Sequence, residues 1–404
     1  MESKKKRKGI ELSFHIPPGV FPCGNVQREV TRLKESLPQP PFGERIIPFE
    51  RLVSFCRALL HSATNVVFLG KNEVMFFLET LYRGYAWNLE KRRSYYFCSD
   101  TDVYQLTWLS RHLVPQETIC VILPRKIEEF QLLTITFSLP WKAVLLGSTH
   151  GVVAEVARNA FLSFFPMEEG YYHFWHRGEL AYLPLLSWGV NVQEFDRGLN
   201  RGYHLLQEEA IALALLLGRE QTMFKEICFV VDNHFFLSLL TAFLSLLEKS
   251  CQGENAPLFT VKDFFALRDI YCESPLGEEK IHSTLFVLFH NEGKSSGLHF
   301  HFPPELKRDL FFEEWQLLKR SCIDRFVEAE ISTLHSFLRG EHVSSVDVSL
   351  QDTDIATIGQ LIALFHQWAC YNGWLRGLDL LSDPPIIHFE HLVRSRLRKE
   401  ETRR

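Results

Sequence analysis

Asn65-Val66-Val67-Phe68-Leu69-Gly70 is a short apolar run closed by glycine, and its length and β-branched content read as a buried strand. A helical pattern from Phe49 leads into it, and a helix over Glu73–Tyr85 follows. The alternation continues with strand Ser94–Cys98, helix Asp102–Leu113, strand Thr118–Leu123, helix Ile127–Phe137, strand Ala143–Leu146 and helix Val152–Ala160. Short apolar strands separated by helices predict a parallel sheet covered on both faces. A largely helical stretch, Tyr182–Leu217, leads to a second series: strand Ile227–Val231, helix Phe235–Ser250, strands Leu258–Val261, Thr284–Phe289 and Leu298–Phe302, a helix from about Cys322 to Leu338, strand Ser345–Leu350 and helix Asp354–Trp374.

The chain is therefore expected to be an α/β protein with two tandem, doubly wound, mainly parallel sheets. The expected organisation is an irregular N-terminal arm over 1–45, rich in loop residues such as Pro17-Pro18-Gly19 and Pro38 to Pro41, a first domain over 46–205, a second over 206–385 and a C-terminal arm over 386–404. In open parallel sheets ligands bind beyond the carboxyl ends of the strands, which singles out the loops Gly70–Glu73, Leu123–Glu128, Gly147–Val152 and Val261–Leu267.

Composition narrows the function. The 404 residues are 46% hydrophobic and include 34 phenylalanines, enough for a large and strongly aromatic core. A net charge of −5 gives no general attraction to nucleic acid or to anionic lipid. The basic run Lys4–Lys8 reads as a solvated tail. Nine scattered cysteines without a Cys-x-x-Cys pair fit reduced thiols, not a disulfide framework or a zinc site. No apolar run reaches the length of a membrane span, and no signal core follows the N-terminus, so a cytoplasmic protein is expected. His299 and His301 alternate on one strand face, but without a third ligand the expectation is no metal and no cofactor. The nucleophile elbow, the phosphate-binding Walker loop, the dinucleotide fingerprint and the zinc-protease motif are all absent.

Two stretches carry a family resemblance. Val343-Ser344-Ser345-Val346-Asp347-Val348-Ser349-Leu350-Gln351-Asp352-Thr353-Asp354, the long helix to Cys370-Tyr371-Asn372-Gly373, and Asp379 to Asp383-Pro384 resemble the C-terminal part of glucose-6-phosphate isomerase. Leu185-Leu186-Ser187-Trp188-Gly189-Val190-Asn191, running on to Gly198, resembles the segment that follows that family's Gly-Gly-Arg-Tyr-Ser motif. The elements are colinear from about residue 60 to residue 395. The resemblance implies two sugar-isomerase (SIS) domains and an aldose–ketose isomerisation of a sugar phosphate through an enediol. That chemistry needs a phosphate cradle, a ring-opening acid/base and a carboxylate.

Carried over residue by residue, the resemblance finds none of these with its own residue type. The first loop reads Gly70-Lys71-Asn72-Glu73, with Asn72 at the serine position. The Ser/Thr-rich phosphate loop becomes Leu123-Pro124-Arg125-Lys126-Ile127-Glu128, in which no hydroxyl is available and Pro124 lacks an N–H. Arg125 and Lys126 either hold an anion or form a solvated loop paired with Glu128 and Glu129. The family arginine falls on His173, with Arg177 as the nearby substitute; the carboxylate base falls on Lys249, with Glu248 one residue away; the ring-opening histidine falls on Phe265; and the C-terminal lysine falls on Glu390. One helical residue is a turn of about 100°, so Glu248 is expected to point away from the base position.

The expected function is thus a catalytically degenerate glucose-6-phosphate isomerase-like protein that binds or scaffolds. Its expected partners are a sugar phosphate or other small anion in the inter-lobe cleft, held at Lys71, Asn72, Arg125 and Lys126, and a second copy or another protein, with no nucleic acid and no membrane. The alternative is an active glucose-6-phosphate isomerase of glycolysis and gluconeogenesis that uses replacement residues such as Glu248, His173 and Lys249.

Overall fold

A computed structural model of the chain describes residues 9–17, 26–43, 49–61, 63–86, 93–124, 135–148, 152–160, 163–167, 174–217, 224–252, 256–263, 282–291 and 323–381. The first sheet is built from β2 (Asn65–Gly70), β3 (Ser94–Ser99), β4 (Thr118–Leu123), β5 (Lys142–Ser148) and β6 (Ser163–Met167), all parallel, in the spatial order β3-β2-β4-β5-β6. The second uses β7 (Glu226–Val231), β8 (Leu258–Asp263), β9 (Thr284–Asn291) and β10 (Ser345–Leu350), and is completed by β1 (Ile10–His15) in the order β8-β7-β9-β10-β1. Both sheets therefore wind outward from their first parallel strand, which places a topological switch point beside β2 and another beside β7.

The N-terminal segment corrects the sequence reading. Residues 1–45 were expected to be irregular, yet β1 pairs antiparallel with β10, from Ile10 opposite Leu350 to His15 opposite Ser345, and α1 (Val26–Ser36) follows it. The alternation Ile10-Glu11-Leu12-Ser13-Phe14-His15 supplies an apolar inner row and a polar outer row for an edge strand. β6 is the other strand the pattern did not disclose. Its Pro166 is compatible with a strand only at a sheet edge, where β6 lies. Strand Leu298–Phe302 and most of helix Ile127–Phe137 lie outside the described residues.

Three helices, α6 (Glu179–Ser187), α7 (Val192–Leu205) and α8 (Gln207–Leu217), form the connection between the two series. They pack with α2 (Phe49–Leu60), α3 (Asn72–Leu81), α9 (His234–Ser250) and α11 (Ile355–Leu375) into one continuous buried cluster shared by both sheets. α4 (Val103–His112) and α5 (Val152–Asn159) belong to the far face of the first sheet, and α10 (Ile323–Gly340) to that of the second. α11 is the central rod. It is buried on nearly every side, with Phe365 and Trp368 packed among Phe229 and Phe243.

Glycine lets α7 and α11 meet. A Cβ on Gly198 would stand 2.0 Å from the Ala356 carbonyl oxygen, and one on Gly359 would stand 2.4 Å from that of Phe195. The two backbones touch at this crossing, which ties the connecting helices to the second lobe. Several polar side chains buried along α11 reach other parts of the chain. Gln360 accepts from the Gly9 amide, Gln367 donates to the Gly202 carbonyl, and Asn372 donates to the Ser250 carbonyl at 2.9 Å.

Candidate functional site

The inter-lobe pocket is assembled from three places in the chain. From the first lobe comes the loop after β2, where Gly70 is pressed against the Leu123 carbonyl, leaving only 2.9 Å for an added Cβ. The chain turns into α3 there, and Glu73 in its first turn enters the pocket, a position where the helix dipole favours a carboxylate. From the second lobe comes α9, capped by Asn233, whose side chain accepts from the Phe236 amide at 2.9 Å. Its residues Ala242, Ser245, Leu246 and Lys249 follow helical spacing and face the pocket. Trp175 and His176, just before α6, close it.

The polar groups present are a carboxylate, an ammonium, an imidazole and a hydroxyl. Ser245 Oγ donates to Glu73 Oε2 at 3.3 Å across the lobe boundary. The His176 ring is stacked between Trp175, at 4.0 Å between centroids, and Phe243, at 4.9 Å, with the edge of Phe77 at 4.8 Å. Its Nδ1 lies 3.0 Å from Nε2 of His366, whose own Nδ1 lies 2.8 Å from the Tyr203 hydroxyl. Burial, reinforced by the Arg177 charge, pushes His366 down to about 3, so this imidazole is neutral and carries a single N–H. Such a set can move a proton. The space it encloses is about 10 Å³, scarcely room for one water and far below the roughly 300–1,000 Å³ of small-molecule sites.

The sequence-derived positions divide into three groups. Lys249 lines the pocket while Glu248, the next residue, is exposed, as the 100° helical turn requires. Lys71 is half-buried beside the pocket loop, its Nζ 3.2 Å from the fully buried Asp100 carboxylate, and Asn72 is exposed. Arg177, the substitute for the family arginine, is buried among α7 residues. It donates to Asn200 Oδ1 at 2.8 Å, its Nε lies 3.9 Å from Asp196 Oδ1, and its guanidinium sits 5.5 Å from the Tyr203 ring centroid. Asp196 also accepts from the Tyr182 hydroxyl at 2.7 Å and from Asn200 at 3.0 Å, so Arg177 serves an internal network. His173, Arg125, Lys126, Phe265, Glu390 and the His299–His301 pair lie outside the described residues. Glu73, Ser245, Trp175 and His176 were not singled out from sequence; Glu73 closes a loop that was, and His176 sits between His173 and Arg177.

Among the described residues no group of three or more His, Cys, Asp or Glu side chains is arranged to hold a metal ion. None of the described helices is long and apolar enough to cross a membrane.

No protein-family model matches the sequence, and no curated protein matches it. Solved structures do. The fold is that of the sugar-isomerase (SIS) domain proteins. A hypothetical protein from Thermus thermophilus superposes with a TM-score of 0.75 at 16% identity, covering 96% of this chain and 100% of its own. A glucose-6-phosphate isomerase from Chlamydia trachomatis gives 0.68 at 11% identity over 98% and 89%, and a tagatose-6-phosphate ketose/aldose isomerase from Escherichia coli gives 0.53 at 12% over 90% and 97%. At these identities the likeness establishes the fold.

Proposed function

We propose that this chain is a non-catalytic glucose-6-phosphate isomerase-like protein that has kept the two-lobed sugar-isomerase fold and acts as a binding or scaffolding protein. The observation that carries the reading is the pairing of Lys249 with Glu248: a lysine lines the pocket at the position where the family resemblance implies a carboxylate base, and the adjacent glutamate is turned to solvent. A lysine is a cation at neutral pH and stabilises an enediolate without accepting a proton. The tight pocket supports the same reading, because a hexose phosphate has no room among these side chains without the lobes parting. Titration of the full chain with glucose 6-phosphate, read by calorimetry beside a coupled isomerase assay, tests it; the expected result is no turnover.

A second reading, an active isomerase, is favoured by one feature. Glu73 brings a carboxylate from the opposite wall into the same pocket as His176 and Lys249, so an acid/base pair is present although its residues come from other positions. Under that reading Glu73→Gln abolishes activity and Glu248→Gln leaves it intact. The scaffolding partner is a second copy of the chain or another protein, and sedimentation at micromolar concentration separates a monomer of 47.1 kDa from a dimer.

A further inference from the structure

A second concavity lies on the first lobe, walled by α2 and the end of α6, with a volume of about 580 Å³. That is within the roughly 300–1,000 Å³ range of small-molecule sites. Val53, Arg57 and His61 follow one another at four-residue spacing along one edge of α2 and its last turn, and Cys56 and Leu60 form the adjacent row. Leu186, Ser187 and Gly189 make the opposite wall, and Arg93 stands at the entry to β3.

The charge of this groove is one-sided. Arg57, Arg93 and His61 are the titratable polar groups among its described lining residues, and no carboxylate accompanies them. Helix ends explain part of this, since a C-terminus carries about −0.5 charge and attracts cations. Arg93 fills that role for α2, donating to the Leu60 carbonyl at 3.2 Å. α6 does not need one: Gly189, at φ 79°, lets the Gly189 and Val190 amides return to the Leu186 and Leu185 carbonyls at 3.1 and 3.0 Å. Arg57 and His61 are exposed and left over by both helix ends. The floor is apolar. Val53, Leu60 and Leu186 line it with the Cys56 thiol, which burial pushes up to about 11 and so keeps neutral.

We propose that this groove is a binding site, separate from the inter-lobe pocket, for a small molecule that joins an oxyanion to an apolar body. Arg57 and His61 hold the oxyanion and the Val53–Leu60–Leu186 floor takes the body. A phosphate monoester and a polycarboxylate share this chemistry, and the test separates them. The proposal does not depend on whether the inter-lobe pocket is catalytic.

The test is calorimetric titration of the full chain at low salt with inorganic phosphate, adenosine 5′-monophosphate and citrate. At least one is expected to bind saturably with Kd below about 1 mM, with the phosphate or the carboxylate arm preferred according to the source. The double variant Arg57→Gln/His61→Gln should weaken that binding at least about tenfold, because the charge-assisted hydrogen bonds are lost, and Lys249→Gln should leave it unchanged. Both substituted groove residues are exposed, so the double variant should keep the wild-type melting temperature without ligand. Absence of saturable binding for all three probes, equal binding by the double variant, or loss of binding in Lys249→Gln would each overturn the assignment.

Discussion

The imidazoles of His176 and His366 meet at 3.0 Å, and neither has more than 4% of its surface open to solvent. One comes from the segment before α6 and the other from the centre of α11, so this contact joins the first lobe to the core of the second. It is burial, with the Arg177 charge beside it, that holds His366 in the neutral form. The fully buried ring binds its proton far less readily than in the unfolded chain, where the ordinary value is 6.5.

The sign of the pH dependence follows. A folded-state value near 3 lies below the unfolded one, so the unfolded chain takes up more protons and stability is lost as pH falls from 6.5 towards 3. Between pH 7 and pH 5 this group alone should cost about 2 kcal/mol. Urea denaturation at the two pH values should show a smaller loss for His366→Gln than for the wild type. Equal losses would remove His366 from the acid response.

At the crossing of α7 and α11, Gly198→Ala should destabilise the fold by about 3 kcal/mol or more, because the methyl meets backbone at 2.0 Å and cannot be accommodated by a rotamer change. Gly189→Ala meets nothing and should cost only about 1 kcal/mol, from its left-handed backbone. Gly340→Ala, in open space with an ordinary backbone, should fall within about 0.5 kcal/mol of the wild type. Thermal or urea unfolding of the three variants reads the order directly, and any other order contradicts the close-approach account.

Lys71 and Asp100 give a third prediction. The Asp100 side chain has no solvent exposure and lies 3.2 Å from the Lys71 ammonium. Lys71→Met removes a cation from beside a buried carboxylate that also accepts from the Ser99 hydroxyl and should destabilise the fold, while Lys71→Met/Asp100→Asn should recover most of the loss. A residue kept only to hold a ligand would show no such recovery. Unfolding free energies of the single and double variants decide between these roles.

Most of the fold was legible because buried parallel strands read as uninterrupted apolar runs, as in Val66–Leu69 and Ile119–Leu123. β1 was not, since its partner β10 lies at the other end of the chain and an antiparallel edge pairing leaves no local mark beyond a weak alternation, here set between a lysine run and two prolines. At the site, helix geometry separates Glu248 from Lys249 by about 100°, but which of the two lines the pocket depends on how α9 packs. Glu73 and His176 were not legible, because the pocket exists only when α3 meets α9: Glu73 and Ser245 are 172 residues apart in sequence.

The central claim is that the chain does not isomerise sugar phosphates, and a coupled assay with glucose 6-phosphate tests it most directly. The expected result is no turnover above background for the wild type and none for Lys249→Glu, since under the proposed reading a carboxylate at that position supplies neither the phosphate cradle nor the ring-opening acid that the reaction also needs. Turnover near about one per second or faster, within the ordinary enzyme range and lost in either Glu73→Gln or Glu248→Gln, would contradict the account.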